Sequence, residues 1–182
     1  ISFMPYLTER RKRARVISKR PGLTMSVNVL RPESRGNIHI KSSFPHDAPH
    51  INFNFLSTQM DNDTLLLALR KGRELMSAQP IANYVEEEIA PGIGLESDEE
   101  ILSWVKNTAE TTYHPVGTCK MGNDINAVVG ADLKVHGLDR LRVADASIMP
   151  TLTSGNTNAP SIMIGEKCSD MLLETARLNE LF

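Results

Sequence analysis

Between residues 23 and 56 the chain alternates apolar and polar residues, and turn residues break the alternation twice. LTMSVNVL (23–30) leads into the turn RPESRG (31–36). NIHIKSS (37–43) leads into PHDAPH (45–50), and INFNFL (51–56) closes the run. An apolar residue at every second position lines one face of a strand, whereas a helical face needs a period near 3.6. The prolines and Gly36 punctuate the strands. The pattern predicts an antiparallel sheet with one wet face.

Helical periodicity appears only outside this run. DNDTLLLALRKGRELMSAQ (61–79) has an apolar side of Leu65, Leu66, Leu69 and Met76, with Asp61 or Asp63 as its cap. SDEEILSWVKNTAET (97–111) opens with Ser97 and Glu100 in capping-box spacing and buries Ile101, Leu102, Trp104 and Val105. DLKVHGLDRLRVAD (132–145) reads as two short strands around Gly137. A last helix runs from Pro160 to about Leu178, with Asn158 just before it. ISFMPYL, at the start, reads as a further strand and suggests a fragment or mature chain cut from something longer. Helices and strands are segregated, so the fold class is α+β, an antiparallel sheet with flanking helices.

With 182 residues there is room for one domain, or for a domain plus part of another. The net charge of −2 favours neither nucleic acid nor membrane as a partner. TERRKRARVISKR (8–20) holds seven Lys/Arg against one Glu, yet it lacks interleaved aromatics and reads as a solvated connection between strands. No apolar run approaches a bilayer span. Two cysteines, Cys119 and Cys168, make no disulfide framework and fit a reducing compartment. We expect a cytoplasmic location, with attachment at the periphery of the inner membrane as the variant.

Chemistry candidates are few. His46 and His50 are four apart, but Pro45 and Pro49 forbid the helix that would make them a metal pair, and there is no CxxC. No GxSxG accompanies Ser154. Cys119 reads as a small buried thiol rather than as a nucleophile served by His114. In TTYHPVGTCKMG (111–122), Pro115 holds His114 in extended backbone, a stiff mount for a titratable ring that can serve as a base. In LRVADASIMPTLTSGNTNAP (141–160), the turn at 154–158 runs straight into a helix N-terminus. Such an end offers unpaired N–H groups to a phosphate, a carboxylate or the electron-rich edge of a flavin, or is simply capped by Asn or Ser.

HPVGTCKMG together with LRVADASIMPTLTSGNTNAPSIMIGEKCSDML resembles the C-terminal region of the glucose–methanol–choline (GMC) flavoprotein oxidoreductases, in particular the choline-dehydrogenase-like branch. LRPESRGNIHIKSSFPHDAPHINFNFL resembles that family's substrate-domain strands, so the likeness covers roughly residues 23–176. The resemblance implies oxidation of a primary alcohol to an aldehyde by hydride transfer to FAD. It puts the catalytic histidine, acting as base, at His114, and its partner at Asn156, with Asn158 as the alternative. Asp145 and Ala146 match a segment that contacts FAD, and the backbone at Thr157 and Asn158 matches the segment facing the flavin pyrimidine edge. It implies a substrate-binding domain over 1–112, with active-site loops and the C-terminal part of the FAD-binding domain over 113–182. The partners implied are an N-terminal FAD-binding domain on the same polypeptide, a small alcohol, and oxygen or a quinone-type electron acceptor.

The family's GxGxxG fingerprint is missing, since GIGLES (92–97) lacks the third glycine and follows no strand. The chain alone is therefore expected to be inactive and to bind FAD weakly or not at all. A non-catalytic binding or regulatory module that keeps the fold without flavin is the alternative.

Overall fold

The computed structural model describes residues 1–11 and 14–179, which divide into two units, each with its own core. One unit comprises Ile1–Val29 and Phe55–Glu110, the other Leu30–Asn54 and Thr111–Phe182.

In the first unit, β1 (Ser2–Met4) is followed by β2 (Thr8–Arg11), β3 (Ala14–Ile17) and β4 (Thr24–Ser26). The basic run is a hairpin rather than a loose connection, because β2 pairs antiparallel with β3 in the register Glu9↔Val16. Residues 12 and 13 at its tip lie outside the described residues. β1 pairs with β4, Phe3 opposite Met25, and Thr8 N–H donates to Thr24 Oγ1 at 3.1 Å. The strand expected over 23–30 therefore pairs with the start of the chain and not with residues 37–43.

Helix α1 (Gln59–Met76) starts two residues before the expected helix. Thr58, not an aspartate, is its cap: extended at φ −111°, it accepts from Asp61 N–H. Asp61 then falls in the first turn, where a carboxylate suits the positive end of the helix. Helix α2 (Asp98–Thr108) has the expected capping box, with Ser97 and Glu100 each satisfying the other's backbone N–H. Leu66 and Leu69 of α1 pack on Ile101 and Val105 of α2, with Trp104 at the margin. Gly72 allows a close approach, since a Cβ there would stand 2.9 Å from Met25 Cε. Arg73 organises the connection between the helices by donating to Leu95 O (2.8 Å), Gly92 O (3.0 Å) and the Glu88 carboxylate (2.9 Å).

In the second unit, β5 (Asn37–His39) and β6 (His50–Asn52) form an antiparallel ribbon with Ile38 opposite Ile51. Both faces of this ribbon are exposed, so the single sheet read from alternation is here three separate two-stranded ribbons. The pair of strands expected over 132–145 reduces to isolated bridges, Val129↔Val135 and Lys134↔Arg142, around the turn at Gly137. Helix α3 (Asn158–Asn179) contributes Ile164 and Cys168 to a core with Val129, Leu133, Ile148 and Met149. It starts two residues before Pro160, so Asn158 is its first residue rather than a residue ahead of it. No described helix is long and apolar enough to cross a membrane.

Candidate active site

Two segments far apart in sequence are laced together by backbone hydrogen bonds. Cys119 N–H donates to Ser147 O at 2.9 Å and Met121 N–H to Ile148 O at 2.8 Å. The glycine before them, Gly117, has φ +90°, and a Cβ on it would lie 3.2 Å from Met149 O. Only glycine meets both demands without strain. The HPVGTCKMG segment thus runs along the ADASIM segment.

His114 is half-buried and directly reaches the turn that opens α3. Its Nδ1 lies 3.0 Å from Thr157 Oγ1, and Thr157 N–H donates to the same nitrogen at 3.4 Å. Thr157 is 8% exposed. Its carbonyl accepts from Ser161 N–H (3.0 Å) and Ser161 Oγ (2.6 Å), which fixes it to the first turn of α3. Thr157 thus engages the ring through Nδ1 and not through Nε2.

Of the residues named from sequence, His114 and Thr157 meet through side chains. Asn156 and Asn158 flank Thr157 and are exposed. Asp145 and Ala146 take part in neither contact. The Asp145 carboxylate accepts from Ser147 N–H (2.8 Å) and caps a short 3₁₀ turn, Ala146–Ile148, and Ala146 packs against the core. The side chain of Thr157 was missed in the sequence, where only its backbone drew notice. Arg31 was missed too. Its Nε donates to Ser154 Oγ at 2.6 Å, and Ser154 holds φ +62° at the head of the same turn. The arginine of the R-P turn was the available signal.

Among the described residues no group of three or more His, Cys, Asp or Glu is placed to hold a metal ion. Cys168 is buried in the core and Cys119 is half-buried, and both are free thiols.

The family model for GMC oxidoreductases matches residues 32–165, about three quarters of the chain and nearly all of the second unit's motifs. The chain belongs to the GMC oxidoreductase family. Over 154 residues it is 47% identical to an oxygen-dependent choline dehydrogenase of Escherichia coli O45:K1 (strain S88), covering 85% of this chain and 27% of that one. Over 160 residues it is 44% identical to an alcohol dehydrogenase [acceptor] of Pseudomonas putida, covering 88% of this chain and 29% of that one. A formate oxidase of Aspergillus oryzae RIB40, studied for FAD modification, matches in structure with a TM-score of 0.76 and 32% identity, over 85% of this chain and 27% of that one. The chain thus spans little more than a quarter of the length of the relatives it matches.

The donor set at the start of α3 fits one edge of a flavin. The first turn carries no acidic residue, and Asn158 and Ala159 are exposed. Backbone N–H groups there present donors and partial positive charge to the carbonyl-rich pyrimidine edge. Asp145 fits less directly, because one of its oxygens is spent on the 3₁₀ turn.

Proposed function

We propose that this chain is the C-terminal part of an FAD-dependent dehydrogenase or oxidase that converts a primary alcohol to an aldehyde. The observation that carries the reading is the His114 ring, held by Thr157 beside the N-terminus of α3. In this reading residues 1–112 belong to the substrate-binding domain and 113–182 to the active-site loops and the end of the FAD-binding domain.

When bound, FAD would supply the hydride acceptor. The backbone at Thr157–Asn158 would face its pyrimidine edge, with the Asn158 N–H as the donor because the Thr157 N–H is given to His114, and the backbone around Asp145 and Ala146 would line it. Alcohol oxidation also places charge on the substrate oxygen. His114 acts there through Nε2, by taking the hydroxyl proton as base or by donating to the alkoxide. Asn156, exposed on the adjoining turn, can both donate to and accept from the same oxygen. The electron acceptor that reoxidises the flavin, quinone-type or oxygen, lies outside what these residues specify.

The test is an anaerobic visible spectrum of the polypeptide that carries this chain and its FAD-binding region, titrated with a panel of alcohols that includes choline. Bleaching of the flavin bands by one alcohol supports the reading. A protein that carries no flavin, or one that no alcohol bleaches, defeats it.

A further inference from the structure

The segment that carries Asn156 has little to hold it. Among the described residues, 150–156 make a single hydrogen bond: the Arg31 guanidinium donates through Nε to Ser154 Oγ at 2.6 Å. Ser154 holds φ +62°, a conformation that a residue with a Cβ keeps only when its surroundings enforce it. Gly155 follows it. Apart from its chain neighbours, no atom lies within 4 Å of where a Cβ on Gly155 would stand, so packing does not fix its backbone. Asn156 therefore has two anchors. Thr157, bound to His114, is the one after it, and Ser154 is the one before it.

Arg31 suits the second anchor. Pro32 keeps the Arg31 backbone out of the helical region. The turn that Arg31 opens is tied to itself and to the chain after β6. Arg35 Nη1 donates to Pro32 O (2.7 Å) and Ser34 O (3.1 Å), and Asn54 Nδ2 donates to Arg35 O (3.0 Å). Gly36 sits so close to β6 that a Cβ there would stand 2.2 Å from Asn52 O. The planar guanidinium aims its Nε–H in a fixed direction, and a charged donor makes a stronger bond than a neutral one.

We propose that Arg31 is a positioning residue: through Ser154 it sets where Asn156 stands, and so how the Asn156 amide meets the substrate oxygen. This rests on the alcohol-oxidation reading and adds to it a residue that acts through Asn156. A bond that only stabilised the fold would matter whatever residue stood at 156. A bond that aims Asn156 matters only while Asn156 is there.

The test is a double-mutant cycle on the holoenzyme, the polypeptide that carries this chain and its FAD-binding region, with the alcohol that bleaches its flavin. Arg31→Met keeps the length of the side chain and removes the donor. It should lower kcat/KM by roughly tenfold or more with the flavin spectrum unchanged, since small misplacements near a reacting centre act on that scale. In an Asn156→Ala background the same substitution should change kcat/KM by less than about twofold. Ser154→Ala should reproduce both results from the other side of the bond. Equal losses in the two backgrounds overturn the proposal, as does an Arg31→Met enzyme as fast as the unaltered one. If Arg31→Met does not fold, Ser154→Ala in the two backgrounds decides. The crystal structure of the Arg31→Met holoenzyme separates this proposal from the reaction reading. If no alcohol bleaches the flavin, the reaction reading fails, while a Ser154 that has left its positive φ in that crystal still supports the tether. A Ser154 and an Asn156 unmoved in that crystal overturn the proposal.

Discussion

Gly117 has a conformation that one added methyl group would break. At φ +90° an L side chain is strained, and the carbonyl of Met149 leaves it no space. Gly117→Ala should therefore cost about 1 kcal/mol or more, read as a lower urea midpoint with an unchanged slope. His114 is the opposite case, a residue whose loss should spare the fold. His114→Ala in the holoenzyme should lower turnover by roughly 10²–10⁴-fold while the flavin spectrum persists, the range expected when a proton-handling group at the reacting oxygen is removed. Turnover near the unaltered rate would take His114 out of the chemistry. Asn156→Ala should lower kcat/KM, because a contact that strengthens as charge develops is lost. A change confined to protein yield would make Asn156 a structural residue of the turn.

At the scale of elements, legibility followed the range of the interactions. The start of α2 was readable to the residue because a capping box is local, with Ser97 and Glu100 three positions apart. The start of α1 was misplaced by two residues because Thr58, Asp61 and Asp63 are all competent caps, and the extended backbone of Thr58 decides among them. Strand alternation was visible at 37–43 and 51–56, but pairing partners are not a local property, and β4 turned out to pair with β1. The α2 box also gives a pH dependence. The Ser97 hydroxyl and backbone N–H hold the Glu100 carboxyl below its ordinary value. A carboxylate with a lowered folded-state value adds stability above the usual glutamate range, near ~4.3, and loses it as pH falls through the lowered value. Ser97→Ala should cost about 0.5–2 kcal/mol near neutral pH. The gap in Tm between the two proteins should narrow as the pH is taken below the carboxylate range. A gap that stays constant through acid would mean that the hydroxyl acts without Glu100.

At the scale of the molecule, His114 and Thr157 are 43 positions apart, and neither periodicity nor composition could have joined them. Only the likeness of the two motifs to a family put them in one site. The side-chain contact itself follows from the lacing of Cys119 and Met121 to Ser147 and Ile148, which sequence does not display. The same scale limits what these residues can hold. A helix terminus contributes about 0.3–2 kcal/mol toward a developing or bound negative charge. A micromolar complex requires about 8 kcal/mol. The string nearest to a dinucleotide fingerprint, GIGLES, is a turn whose Gly92 and Leu95 carbonyls are taken by Arg73, and no strand leads into it. One flavin edge at the start of α3 cannot supply the difference. Residues 1–182 alone, titrated with FAD and followed by flavin fluorescence, should therefore show binding weaker than micromolar. The same residues joined to a Gly-rich FAD-binding region should retain the cofactor through gel filtration. Stoichiometric flavin on residues 1–182 alone would show that the start of α3 is only part of the cofactor site on this chain, and that donors elsewhere in it supply the missing free energy.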